Sequence, residues 1–402
     1  MKILGITVEY NPFHNGHKYH LEESLKATGA EYCIAVMSGN FTQRGEITPL
    51  DKWQRSRLAV ENGVDLVVEL PVIFACNRGE LFAKGAVDIL TGLGATHISF
   101  GSESGNIEEL QRLVRDMVSH KAEMDKLRAE VMKDGYSYAK GTSLAAEEIF
   151  GRDRAALMLE PNNILAIEYL KRIIYHEKHG KTVMPVTVKR RGSGYFEKNR
   201  EQGFAGATVI RRLISEGRIT EAEEYVPVNV AEELQCHEDE KESYERIFRM
   251  VTAHILRSSS TELSEIYCMG EGLENKLKKE IITAGGYREL VSSMVSRRYT
   301  EAAIRRLMVY VMLGIKKGCE EKAAVYGRVL AAGENGRRLL RELKRREIPS
   351  IPVITNINKD TESCGYIKET LAYDVLASDM YNAIKERSLY EYSDRIVRPY
   401  IK

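Results

Sequence analysis

The first hundred residues alternate short apolar runs with polar stretches of helical periodicity, and this alternation constrains the fold more than any other feature. "ILGITVEY", "YCIAVMSG", "DLVVELPV" and "THISFGSE" are rich in β-branched residues and read as strands. "HLEESLKATG", "DKWQRSRLAVENGV" and "GELFAKGAVDILTGLG" read as the helices between them. Strands joined by helices at such short intervals form βαβ units around a parallel sheet, an α/β fold. Ligands of these sheets gather beyond the carboxyl ends of the strands. The polar loops "NPFHNGH", "SGNFTQRGE" and "FGSESGN" all follow those ends, so the site is expected there.

Residues 107 to about 180 read as mostly helical, followed by a strand in "TVMPVTVKR" and a helix in "GATVIRRLISEGR". The periodicity from about 240 to roughly 347 is helical, and the tail holds a strand-like "SIPVITNI". A chain of 402 residues has room for two domains, and the pattern divides it into 1–220 and a mainly helical 221–402. The formal net charge of +1 gives no overall bias toward nucleic acid. "MKILGITVEY" turns polar too soon for a signal peptide, and no apolar run is long enough to span a membrane. The six cysteines are scattered without a CxxC pair, which argues against a disulfide framework or a zinc knuckle. A cytoplasmic protein is expected.

His14 and His17 stand three residues apart across a helix start, on one side of the chain. Imidazoles and first-turn amides all donate hydrogen bonds, and the helix dipole favours an anion at the same place. Such a nest suits a polyphosphate. Gly16 is expected to spare the phosphate a crowding side chain, and Pro12 to hold the incoming backbone extended. Zinc is the competing reading, but His20 and Glu9 do not complete a ligand set, so no metal site is assigned. A third possibility is that both histidines only fill a turn.

The string "NPFHNGHKYHL" carries an HxGH signature similar to that of nucleotidyltransferases and class I aminoacyl-tRNA synthetases. Together with "MSGNFTQRGE", "DKWQRSRLAVENGVDLVVELP", "FGSE", "PNNILAIEY", "VKRRGSGY" and "YTEAAIRRLMVYVMLGI", it resembles the bacterial tRNA(Met) cytidine acetate ligase family over nearly the whole chain. The resemblance implies a nucleotidyltransferase-like Rossmann domain. It also implies activation of acetate by ATP as acetyl-adenylate, and transfer of the acetyl group to N4 of the wobble cytidine of elongator tRNA(Met). Magnesium is expected to travel with the ATP.

Carried over position by position, the resemblance implies ATP contacts along Thr7, Val8, Glu9, Tyr10, Asn11, Pro12, Phe13, His14, Asn15, Gly16, His17, Lys18, Tyr19 and His20. It adds Gly101, Asn162, which could instead cap the following helix, and Arg190; Arg191 also follows the strand, with Arg190 preferred of the two. His14 and His17 are the lead catalytic candidates, with Arg44, which sits inside a strand-end loop rather than along a helix. Lys52 is a further candidate, and Trp53 reads as a packing anchor. Many relatives carry a serine before the Ala-Thr of "FAGATVIRR"; here Gly206 keeps the amide and loses the hydroxyl, leaving Thr208 and Arg211 to serve.

Between residues 287 and 347 there are fifteen Lys/Arg and seven Asp/Glu, with pairs at Arg297/Arg298, Arg305/Arg306, Lys316/Lys317 and Arg337/Arg338, then Lys344 to Arg346. A near-neutral chain that concentrates positive charge in one segment offers a nucleic-acid face, although a solvated helical surface has the same composition. Tyr299 is a candidate for stacking on bases, while Tyr310 lies in an apolar run and reads as core. Two other functions share these features: a small-molecule nucleotidyltransferase, and a non-catalytic RNA-binding protein of the same fold.

Overall fold

The computed structural model describes residues 1–191, 203–235, 240–360 and 367–402. The alternation at the N-terminus forms as expected. Strand β1 (Ile3–Val8) leads to helix α1 (Asn15–Thr28), β2 (Tyr32–Ser38) to α2 (Lys52–Glu61), and β3 (Leu66–Leu70) through the short α3 (Val72–Ala75) to α4 (Gly79–Gly92). β4 (His97–Ser102) follows, and β5 (Met184–Lys189) returns after helices that include Ile107–Ser119 and Pro161–Lys178. α1 stops at Gly29, whose φ of 58° suits a residue without Cβ. α2 starts at Asp51, whose carboxylate accepts from the Gln54 amide at 2.8 Å.

The sheet order is β5-β4-β1-β2-β3-β6-β7, with the first five strands parallel. Successive residues of the strands point to opposite faces. Ile3, Ile34 and Val68 face a core that includes Phe82, Ile89 and Leu90 of α4. Leu4, Ala35 and Val67 face the other core with Leu21 of α1 and Leu58 of α2. A third core, built mainly from residues 247–315, reaches Phe41 and Ile47 in the loop after β2 and Val72 and Ile73 after β3. The helical segment therefore packs against the loops at the carboxyl ends of those strands.

Four details differ from the sequence reading. The span from 240 to 347 contains a strand, β6 (Gly327–Ala332), which pairs antiparallel with β3. All six of its residues are buried, so it shows no alternation to distinguish it from helix. β6 in turn pairs with β7 (Val353–Ile354) and β8 (Tyr400–Ile401), so the region after residue 220 completes the sheet as well as forming helices. The helix beginning at Tyr287 ends at Met294, before Arg297 and Arg298. Pro12 lies in a turn rather than extended chain, and the Asn11–Pro12 peptide is cis. Residues 192–195 of "VKRRGSGY", with Cys236 and Cys364, lie outside the described residues.

Candidate active site

After Thr7 and Val8 close β1, the chain turns through Glu9, Tyr10, Asn11, Pro12 and Phe13. Tyr10 takes a φ of 50°, and its ring packs 4.6 Å from that of Phe13 and 4.9 Å from that of His17. His14 is the N-cap of α1 and is almost wholly buried. Its backbone N–H donates to Nδ1 of His17 at 3.2 Å, and the two imidazoles stack at 3.6 Å. An amide proton needs a lone pair to receive it. Nδ1 of His17 is therefore unprotonated, and the neutral ring carries its proton on Nε2.

Gly16 has a different role from the one expected. A Cβ at this position would lie 2.9 Å from Cε1 and 3.0 Å from Nδ1 of His14, so the glycine makes room for the histidine ring itself. His20, one turn on, sits 3.2 Å from the Ser99 hydroxyl of β4, and Ser99 is 2.7 Å from Ser24. Burial, with Arg190 and Arg211 adding to it, pushes His14 down to about 3. Burial, His14 and Arg190 hold His17 well below its ordinary value, and burial with Arg190 brings His20 to about 4. At neutral pH all three rings are uncharged hydrogen-bonding groups.

Arg190 follows β5 and reaches over the end of β4. Gly101 permits this, because a Cβ there would sit 3.2 Å from Cγ of Arg190. Nη1 of Arg190 donates to Oδ1 of Asn162 at 3.1 Å, and Nδ2 of Asn162 donates to Glu103 at 2.6 Å. Glu103 also accepts from the amides of Asn162 and Asn163 at the start of helix Pro161–Lys178. Gly101, Asn162 and Arg190 thus form one unit facing the histidines. Burial lowers the Arg190 pKa, with Glu103 opposing. Among the described residues, Nδ1 of His14, Oδ1 of Asn11 and Nε of Arg190 are three of the seven buried side-chain atoms without a hydrogen-bond partner. An orphaned buried polar group costs about 1–3 kcal/mol, so three around one strand end point to a polar ligand.

The loop after β2 borders the same region. Glu9 accepts from the Gln43 amide at 2.7 Å; burial raises its pKa against that bond. Buried Arg55 of α2 donates to the carbonyls of Glu9, Ser38, Gly39 and Leu50. Arg44 is exposed and has no side-chain hydrogen bond or ion pair among the described residues. Glu46 pairs with Arg211 and Arg305, both at 2.9 Å, and Arg211 also donates to the Asn11 carbonyl at 2.9 Å.

Other candidates have structural partners or lie open. Asn15 donates through Nδ2 to the carbonyls of Gly203 and Glu224. Lys18 is exposed, and Arg191 stacks on Tyr19 at 4.5 Å. Lys52 is not available to a ligand: it is fully buried, 2.7 Å from both Glu69 and Asp394. Trp53 is partly buried against the second core. Gly206 caps helix Ala207–Ser215 with open space where a Cβ would stand.

Sequence reasoning gave no role to Glu46, Arg55 or Glu103. Each lies within a quoted motif, but its partners are up to 259 residues away and leave no local pattern. The basic pairs are also partly engaged. Arg297 stacks 3.7 Å from Tyr136, Arg298 pairs with Glu271, and Arg306 donates to the Gln43 carbonyl at 3.1 Å.

The family model described as HIGH Nucleotidyl Transferase matches residues 1–395. A protein of Thermoanaerobacter sp. (strain X514), named tRNA(Met) cytidine acetate ligase, is 38% identical over the full length of both chains. A protein of that name from Listeria welshimeri is 33% identical, covering 100% of this chain and 99% of its own. The crystal structure of Thermotoga maritima TmcAL bound with alpha-thio ATP superposes with a TM-score of 0.89 at 32% identity, covering 100% of this chain and 99% of that one. The histidine-capped helix on a parallel sheet and these full-length matches agree: the chain belongs to the tRNA(Met) cytidine acetate ligase family of HIGH nucleotidyl transferases.

Proposed function

We propose that this protein activates acetate with ATP and transfers the acetyl group to N4 of the wobble cytidine of elongator tRNA(Met). A carboxylate oxygen of acetate bonds to the α-phosphorus, the bridge to the β-phosphate breaks, and pyrophosphate leaves. The cytidine N4 amine then attacks the acetyl carbonyl carbon; AMP departs and the amine loses a proton. The observation that carries this reading is the neutral His14–His17 pair at the start of α1, with the His17 proton held on Nε2. A neutral donor beside the α-phosphate stabilises charge developing on its oxygens without surrendering a proton. Arg190 supplies a cation whose field reaches both rings. Arg44 is free to meet an anionic group.

No group of three His, Cys, Asp or Glu among the described residues is arranged to hold a metal. Magnesium enters this reading with the triphosphate. No helix among the described residues is long and apolar enough to cross a membrane.

The test is mass analysis of tRNA(Met) after incubation with the protein, ATP and isotopically labelled acetate. The expected result is one labelled acetyl group on the anticodon-loop cytidine, dependent on both ATP and acetate. Acetate-dependent pyrophosphate release without RNA labelling would instead indicate a small-molecule activity. RNA binding with neither reaction would leave a non-catalytic protein.

A further inference from the structure

We infer that the strap formed by residues 387–398 is a stacking surface for unpaired bases of the RNA substrate. The inference rests on the tRNA reading above and says where on this chain the loop is gripped. Tyr390 is 75% exposed, Leu389 53% and Tyr392 44%. Such neighbouring apolar groups on a free tail would be ordinary. Here the main chain is fastened. Asn382 donates to the Tyr392 carbonyl and Asn358 to the Arg395 carbonyl, both at 2.9 Å. Arg387 pairs with Asp51 at 2.7 Å, and Asp394 is sunk between Lys52 and Arg328 at 2.7 and 2.8 Å. An ordered backbone that turns its largest apolar side chains outward marks an interaction surface.

Charge and position select the occupant. Arg395 and Arg398 are exposed; Arg398 has no ion-pair partner among the described residues, and Arg395 has only the more distant field of Asp379. Tyr390 and Tyr392, the latter with the Arg387 guanidinium 5.3 Å from its ring, are followed by the exposed Arg395 and Arg398, and such rings beside cations suit bases and phosphates of a single-stranded loop. Asp51 and Lys52 begin α2 directly after the β2 loop, and Asp394 meets Glu69 near the carboxyl end of β3 through their shared lysine. The strap therefore lies at the same end of the sheet as the histidines.

The experiment compares the full-length protein with Tyr390→Ala/Tyr392→Ala, Tyr390→Phe/Tyr392→Phe and Arg395→Glu/Arg398→Glu variants. Acetate-dependent ATP–pyrophosphate exchange is measured without RNA, and KM for tRNA in the transfer step over a salt series. Exchange should be unchanged in all variants. The alanine pair should raise KM for tRNA about tenfold or more, the phenylalanine pair should stay near wild type, and the glutamate pair should flatten the salt dependence. Equal KM in the wild type and the alanine pair overturns the inference while leaving the ligase reading intact. Absence of exchange in the wild type overturns the ligase reading first. Loss of a wild-type dimer on gel filtration, with KM unchanged, assigns the strap to self-association and likewise overturns the inference.

Discussion

His17 and Gly16 act on the same chemistry by separate routes. Removing the His17 imidazole deletes a donor, and one such donor is worth about 3 kcal/mol in the transition state. His17→Ala is therefore expected to slow acetate-dependent ATP–pyrophosphate exchange about a hundredfold or more, with thermal unfolding little changed. Gly16→Ala deletes nothing, yet its methyl would meet the His14 ring at 2.9 Å and push it from the stack. A displacement of ~1 Å in a reacting group can cost about a hundredfold, so a comparable loss is expected without loss of fold. Exchange at the wild-type rate in Gly16→Ala would show that the position of the His14 ring is unimportant. The same histidines set an acid limit. His14 and His20 are depressed to about 3 and about 4 in the folded protein, against about 6.5 when unfolded. The folded state thus binds fewer protons between those values. The stability they contribute is fully present above about pH 6.5 and is lost as pH falls through about 4 for His20 and about 3 for His14. Urea midpoints should fall over that window, and His14→Asn/His20→Asn should flatten the fall; parallel curves would contradict the buried, neutral assignment.

At the scale of elements, the loop between β2 and α2 is held from both sides. Arg55 binds the carbonyls of Gly39 and Leu50 at its two ends, with those of Ser38 and Glu9 beside it, and helix Glu301–Leu313 packs against it at Gly45 and Gln43. Gly45, at φ 72°, lies so close that a Cβ would come within 2.5 Å of the Arg306 nitrogen. Gly45→Ala is expected to destabilise the protein by about 1–3 kcal/mol and to slow activation, because the loop carrying Arg44 must lift from that helix. Arg306→Ala, which frees the Gln43 carbonyl, should impair acetate activation in the absence of RNA. That outcome separates Arg305 and Arg306 from a simple RNA-binding role. Arg337, Arg341 and Lys344 are different: they are exposed on helix Glu334–Arg345 and have no ion-pair partner among the described residues. Reversing these three charges should weaken tRNA binding and lower its salt slope, with activation untouched. An unchanged affinity and slope would return that helix to a solvated surface.

Across the whole molecule, what the sequence revealed was local and what it concealed was distant. The parallel strands could be read because each apolar run is flanked by its own caps and turns, and the histidine pair because its spacing and its helix start lie within four residues. β6 was hidden because a wholly buried strand has no alternation, and the role of Lys52 was hidden because its partner Asp394 is 342 residues away. That lysine belongs to a buried group in which Glu69 and Asp394 each touch both Lys52 and Arg328, at distances of 2.7–2.9 Å. It joins α2, β3, β6 and the tail beneath the β2 loop. Burial works to raise the Asp394 pKa, but Arg328 and Lys52 overcome it and hold the carboxyl below its ordinary value. Its stabilising contribution is therefore present above about pH 3.9 and is lost as pH falls further. Asp394→Asn removes one of the two anions and leaves two buried cations to share Glu69. Breaking a buried pair in this way costs about 3–5 kcal/mol, because the remaining charge has neither water nor a partner. The variant should unfold at much lower urea than the wild type at pH 7, and that difference should shrink in acid. Asp394→Asn/Lys52→Met, which removes one charge of each sign, should recover part of the loss. A single variant as stable as the wild type would show that the tail is not fastened to the sheet through this carboxylate, and the strap would lose the rigid base from which Tyr390 and Tyr392 are presented.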